Sequence, residues 1–316
     1  MKFCDFLKKE RKKRNLSQKA IVSELMLFDN IFTTLTVISF GRWERGVAKP
    51  TIKKMLLISK FFDITWQEFF FKVQLKLTKT QTSMFDAWKA HFVELGSRHN
   101  YIGYNSPWPN NYYTALYNHE PQFDTVFDST GISKIRRYES KVMGLSEEIE
   151  SQSFLRWLNS GRLFTLVFYT KSGKHKHIEA HSLMSTHPQS DHLNLIGCYR
   201  NNENIFDNSS LDWKMDGEIT LFIHSFVVHE KEWIDFVMDS LIAILTENWN
   251  ITKLVYGDFD RDSSFRAMNT FQAKCIAIKE NPNYQEPPKE RIMEINSIDF
   301  LSQHGIVHRI LSSDFK

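Results

Sequence analysis

His175, His177 and His181 alternate along a stretch of strand character with Glu179 among them, so imidazoles and a carboxylate on one strand face could converge on a metal. They lack the helical His-Glu-x-x-His arrangement and read as exposed strand histidines, so no metal site is expected. Asp258, Asp260, Arg261 and Asp262 crowd a strand-to-helix turn, which suits a bound ion or a solvated loop. His224 and Glu230 form an acid–base pair only if the fold brings them together. Trp108, Tyr112, Tyr113 and Tyr117, in a segment rich in Tyr, Asn and Pro, could line one side of a small-ligand pocket and are the candidate ligand-binding residues. The chain has no Gly-rich nucleotide loop and no nucleophile elbow, so neither a catalytic residue nor a cofactor is expected.

The charge is unevenly spread. Residues 1–60 hold 14 Lys/Arg against 5 Asp/Glu, a net of +9, and the rest holds 26 against 32, a net of −6. The whole-chain value of +3 therefore hides a basic end able to neutralise several phosphates and release their counterions.

The elements that carry this charge are short helices. Phe3, Phe6 and Leu7 give a first helix its apolar face, and the run from Lys8 to Arg14 covers the remainder. Ser17 is placed to cap a second helix with Ala20, Ile21, Val22 and Leu25 inward. A third is expected from about Thr36 to Arg45, stopped by Gly46, and a fourth opens at Pro50-Thr51 with Ile52, Leu56, Leu57, Phe61 and Phe62 buried. These stripes predict an all-α domain over residues 1–71. The apolar stretch from Met26 to Leu35 is too hydrophobic for a flexible loop and either extends the second helix or forms a dimer contact.

Arg11, Leu16-Ser17-Gln18, Trp43-Glu44-Arg45-Gly46 and Pro50, in this order, resemble the XRE-type (Cro and phage-repressor-like) helix-turn-helix domain. The resemblance implies that Gln18, at the start of the second helix, meets a phosphate or a base edge. It implies that Thr36, Val37, Ser39 and Arg42 of the third helix enter the major groove, with Arg45 and Lys49 nearer the backbone. Trp43 is expected in the core, and Glu44 is expected to orient an arginine. Met26 to Leu35 lengthens the family's usual spacing, and Gly41 stands where a small hydroxyl residue is usual.

A length of 316 residues, 42% hydrophobic and 14% aromatic, suggests about two folded domains. Cys4, Cys198 and Cys275 have no metal or disulfide spacing, and no run approaches membrane-spanning length, so a cytoplasmic protein with reduced thiols is expected. The polar stretch 72–82 reads as a linker. Residues 83–316 then read as an α/β domain. Helices are expected over Ser83 to Leu95 and Leu145 to Leu158. A hairpin follows over Phe164 to Thr170 and His175 to Leu183, then strands over Leu193 to Tyr199 and Ile219 to Val228. After them come a helix (Trp233 to Leu245), a strand (Thr252 to Tyr256), a helix (Ser263 to Ala273) and a strand (Cys275 to Ile278).

That order resembles the GNAT acyltransferase fold over about residues 125–285. The resemblance implies a pyrophosphate held on backbone amides at a helix N-terminus. Val228 to Trp233, the corresponding stretch, has no Gly and carries Glu230 and Glu232. The position of the family's catalytic Tyr falls near Met268 or Asn269, and Asp262 stands in for its Asn. The expected protein is thus a multidomain one, an all-α helix-turn-helix bundle followed by an α/β, GNAT-like mixed-sheet domain. Its expected function is that of a sequence-specific DNA-binding transcription regulator, without enzyme activity. Its expected partners are double-stranded DNA, a small-molecule effector and a second copy in a homodimer. An acyltransferase fused to a DNA-binding domain is the alternative.

Overall fold

The computed structural model describes residues 1–75, 89–90, 122–124, 156–157, 159–172, 175–201, 203, 205–209, 211–212, 216–227, 231–258, 261–279 and 290–312. Among them the helices of the N-terminal region are α1 (Phe3–Lys13), α2 (Gln18–Phe28), α3 (Val37–Glu44), α4 (Ile52–Phe61) and α5 (Trp66–Lys72). The α/β part follows as β1 (Gln122–Asp124), β2 (Leu163–Ser172), β3 (His175–Pro188), α6 (His192–Asn201), α7 (Ile205–Asn208) and β4 (Ile219–Val227). It continues through α8 (Lys231–Glu247), β5 (Ile251–Asp258), α9 (Arg261–Phe271), β6 (Lys274–Lys279) and β7 (Glu290–Asn296). Two further helices close the series, α10 (Ser297–Leu301) and α11 (His304–Ser312). A helical N-terminal region is thus followed by a mixed α/β sheet. The helix expected over Ser83 to Leu95 is described only at residues 89–90, and that over Leu145 to Leu158 only at 156–157.

Contacts divide the chain into two compact units. The first joins Met1–Phe85 to Asp239–Trp249 and Ser297–Lys316, and the second comprises Asp86–Met238 with Asn250–Asn296. In the first, the starts of α2, α3, α4 and α5 carry the caps their sequence offers, while α1 starts without a side-chain cap. The side chains of Ser17, Thr36, Thr51 and Thr65 accept from the amides of Ala20, Ser39, Lys54 and Glu68, satisfying donors that a helix leaves open at its start. Their apolar stripes meet in a core of Phe6, Leu7, Ile21, Leu25, Phe40, Leu56, Ile58 and Phe69, and Trp43 is buried with them as expected. Met26 to Leu35 is spent on the last turn of α2 and a 3-10 turn, Asn30–Phe32, capped by Asp29. Lys53 pairs with Asp299 at 2.5 Å and Arg309 with Asp239 at 2.5 Å, tying α10, α11 and part of α8 into this unit.

The second unit is built on a seven-stranded sheet in the order β1-β2-β3-β4-β5-β7-β6. Its pairs are antiparallel except β4 with β5. That parallel pair requires a crossover, which α8 supplies. Leu195, Cys198 and Ile205 pack with Phe222, Val255 and Ile292 in one buried cluster, so α6 and α7 cover one face of the sheet. Trp157, Leu163, Leu183 and Phe206 form a second cluster.

The stretch Leu193 to Tyr199 is helical, not a strand. Leu193 is exposed while Leu195 and Cys198 are buried, a three-residue spacing that fits a helix, and Pro188 with the 3-10 turn Gln189–Asp191 ends the preceding strand first. β7 was not anticipated, and it lies between β5 and β6.

Candidate functional site

Ser185 and His187 stand two apart on β3, so the pleat directs both to one face of the sheet. Ser185 pairs in register with Phe222 of β4. Two residues on, the register of β3 and β4 shifts: Met184 pairs with Ile223 but Leu183 with Ser225, which leaves His224 as the extra residue of a β-bulge. The ring of His224 lies 4.9 Å from Phe222 and 4.9 Å from Phe206, between two aromatic rings. There its Nε2 stands 2.6 Å from the Ser185 hydroxyl. The same hydroxyl is 2.6 Å from Nε2 of His187, whose ring packs 4.5 Å from Trp157.

Burial sets the protonation of this cluster. It lowers the His224 imidazole from its ordinary value to about 3 and holds His187 well below its own, the neighbouring His224 adding to the effect. Both rings are neutral at physiological pH. A neutral imidazole has one N–H, and a hydroxyl has one hydrogen to give. Two contacts to one hydroxyl then require that one ring donates to Ser185 while Ser185 donates to the other. Nδ1 of His187 is buried without a hydrogen-bond partner among the described residues. A bare acceptor there costs less than an orphaned N–H, so His187 Nε2–H donates to Ser185 and Ser185 O–H donates to Nε2 of His224. His224 therefore carries its proton on Nδ1. That nitrogen has no protein partner among the described residues, and the residue as a whole is half-buried.

The cluster lies where the parallel strands part. β4 and β5 pair from Ile219↔Ile251 to Ile223↔Tyr256, after which no β4–β5 pair follows, although β4 runs on to Val227 and β5 to Asp258. On their outer sides both strands stay paired, β4 with β3 to Val227 and β5 with β7 to Asp258. His224 is the first residue of β4 beyond the last β4–β5 pair.

A second polar network occupies the same unit. Glu294 accepts from Nε2 of His192 at 2.9 Å and from Nζ of Lys253 at 3.0 Å. These two partners, His192 foremost, hold its carboxyl down at about 2. Every partner is internal, so the network reads as a fastening of α6 to β5 and β7.

The other sequence-derived candidates stand apart from this site. A bulge at Glu179 interrupts the two-residue alternation between His177 and His181, since Ile178 pairs with Tyr169 and Ala180 with Phe168. His181 is buried, and burial lowers it to about 3. Among the described residues no group of three or more His, Cys, Asp or Glu is placed to hold a metal ion. Trp108, Tyr112, Tyr113 and Tyr117 lie outside the described residues, as do Glu230 and Asp260. The Ser185–His187–His224 cluster escaped sequence reading because its members join across strands. The one local signal was the alternation of His181, Leu183, Ser185 and His187 on β3.

In the first unit, Gln18 donates Nε2 to Glu44 at 2.6 Å, and Glu44 also takes Nε of Arg11 at 2.6 Å. Thr36 caps α3 and donates its hydroxyl to Ser39 at 3.0 Å. Val37, Arg42, Arg45 and Lys49 are exposed, and so is Ile38, which gives the start of α3 an apolar surface.

No protein-family profile matches the chain, and no curated protein matches it. Among solved structures it is similar to FeeM, an N-acyl amino acid synthase from uncultured soil microbes, with 12% identity and a TM-score of 0.37, covering 59% of this chain and 96% of that one. This corrects the expected function: no family profile and no curated relative supports a DNA-binding, helix-turn-helix transcription regulator, and the named likeness is to an N-acyl amino acid synthase. The DNA contacts expected of Gln18, Thr36, Val37, Ser39, Arg42, Arg45 and Lys49 are neither shown nor contradicted by this likeness, and the expectation that the chain is no enzyme finds no support in it. Gln18 and Thr36 have internal partners that account for them. Among the described residues no helix is long and apolar enough to cross a membrane.

Proposed function

We propose that the second unit is an acyl-transfer module that joins the acyl group of a thioester to an amine. The observation that supports this is the parting of β4 and β5 after Ile223↔Tyr256. Parallel strands that separate at their C-terminal ends leave backbone N–H and C=O groups facing a gap. A ligand with an extended, amide-bearing arm can add to such an edge as a further strand would. Open α/β sheets bind ligands outside the carboxyl ends of their strands, where this gap lies. The order of hairpin, strand, helix, strand, helix and strand that underlies the resemblance to GNAT enzymes is retained, with β7 added between β5 and β6.

In the reaction the amine nitrogen attacks the thioester carbonyl carbon, the C–S bond breaks as the C–N bond persists, and the departing sulfur takes the proton lost by nitrogen. Val228 to Trp233 carries two carboxylates and no Gly, so the grip on the donor falls on the strand edge more than on a phosphate.

The test is thiol release from full-length protein given medium-chain acyl thioesters, one on coenzyme A and one on a simple thiol without a nucleotide, with a panel of amino acids as acceptors. The expected outcome is amide formation with a preference between the two donors of less than tenfold. Absence of amide product with every pair overturns the reading.

A further inference from the structure

Resting on the acyl-transfer reading, we infer that Nδ1–H of His224 is the hydrogen-bond donor to the carbonyl oxygen of the bound acyl group, and that Ser185 is the positioning residue that fixes this tautomer. The inference starts from proton counting. Ser185 Oγ stands 2.6 Å from Nε2 of both His187 and His224 and has one hydrogen to give. His187 closes the chain from behind: its Nδ1 is buried and unpartnered among the described residues, which makes Nε2 the protonated nitrogen. Each link then runs one way, from His187 to Ser185 to His224, and the remaining proton sits on Nδ1 of His224.

Position makes that proton useful. His224 is the bulged residue of β4 and the first one past the last β4–β5 pair, and bulges of this kind re-aim a side chain beside a site. Phe206 and Phe222 flank its ring and limit its rotation. When an amine attacks the thioester carbonyl, the π electrons move to oxygen, and the oxyanion is stabilised by a donor already aimed at it. Collapse of the tetrahedral species expels the sulfur, which takes the proton from nitrogen, so His224 neither gains nor loses a proton. A buried imidazole that resists protonation is a poor base but suits this role, because it donates without carrying charge.

Two measurements test this. Long-range proton–nitrogen correlation spectra of the histidine rings at neutral pH should show His224 protonated on Nδ1 and His187 on Nε2. Ser185→Ala should return His224 to a mixture of tautomers, which loss of packing alone would not produce. A His224 found protonated on Nε2 in the wild type overturns the inference. In turnover, His224→Phe keeps an aromatic ring between Phe206 and Phe222 but has no donor, and should lower kcat by about 10²- to 10³-fold with KM for the thioester little changed. His224→Gln, whose amide nitrogen can donate, should recover part of that loss. If the wild type turns over and His224→Phe keeps full kcat with an unchanged circular dichroism spectrum, the role of His224 is disproved while acyl transfer stands. If the wild type forms no amide, acyl transfer itself fails, and the catalytic role of His224 fails with it.

Discussion

The two units each bury a polar cluster, and the two are built on opposite plans. In the first, Arg11 gives Nε and a terminal nitrogen to the two oxygens of Glu44 at 2.6 and 3.2 Å and another nitrogen to the carbonyl of Leu16 at 2.6 Å, while Gln18 completes Glu44. Charge meets charge, and every link points inward. In the second, Ser185, His187 and His224 are neutral and form a directed chain that ends on one ring nitrogen without a protein partner among the described residues. A closed, charge-balanced cluster fastens elements together, here α1, α2 and α3. An open-ended neutral one has a hydrogen bond left to give. That difference, more than burial or residue type, separates a structural fastening from a candidate site.

The comparison is broken most forcefully at Glu44. Its side chain is 4% exposed and that of Arg11 13%, so Glu44→Ala leaves a buried guanidinium without its counterion. Removing one partner of a buried pair costs about 3–5 kcal/mol. The expected outcome is a loss of this size in urea unfolding followed by signals from the N-terminal helices. A loss below about 1 kcal/mol would mean that water or another group replaces the carboxylate, and the cluster would not be the fastening described.

The second unit is set apart by pH. His181 and His224 fall to about 3 in the folded protein and His187 lies well below its ordinary 6.5, so below pH 6.5 the unfolded chain binds protons that the folded one refuses. Glu294, held at about 2 against an ordinary 4.5, adds to this between those values, because its stabilisation is present above 4.5 and lost as pH falls toward 2. Stability of the sheet should therefore decline from about pH 6.5 downward, with each fully engaged group contributing about 1.4 kcal/mol per pH unit. Amide hydrogen exchange in β3 and β4 at pH 7 and pH 5, corrected for intrinsic rates, measures it. Protection that does not fall would show that the imidazoles are not buried as neutral rings.

What the sequence made legible follows the range of the interactions. Ser17 as a cap, the third helix ending before Gly46 and the burial of Trp43 are local, and capping residues and the 3.6-residue period expose them, whereas the pairing of Glu44 with Arg11 spans 33 residues and is implied only by the helix-turn-helix resemblance. The hairpin of β2 and β3 was equally legible, because its turn and alternation are adjacent in the chain. The helix over Leu193 to Tyr199 was missed because short apolar runs fit either period. β7 was missed because Glu290, Arg291 and Glu294 mask its alternation, and its partners β5 and β6 are set by topology alone. The Ser185–His224 link, 39 residues long, and the bulge that turns His224 aside leave no local trace. Sequence alone offers His224 its near neighbour Glu230 as a partner only if the fold brings them together.

The smallest effect sharpens the comparison from the side of the backbone. Gly46 follows α3 at φ +70°, a left-handed conformation that L side chains rarely adopt. A Cβ there would also stand 3.4 Å from Sγ of Cys4, an ordinary contact that adds no clash. Gly46→Ala should therefore cost only the conformational penalty, about 1 kcal/mol. Gly41 is the opposite case: it lies inside α3 without a positive φ, and a Cβ would press to 3.2 Å from an Arg45 nitrogen and 3.3 Å from Gln18 Oε1. Gly41→Ala gains helix propensity of about 1 kcal/mol if Gln18 can yield, but only by disturbing its bond to Glu44. Unfolding of the two variants side by side decides whether Gln18 belongs to the closed cluster. Stabilisation by Gly41→Ala that persists in a Gln18→Ala background would show that Gln18 is not held there, while stabilisation that appears only in that background would show that it is.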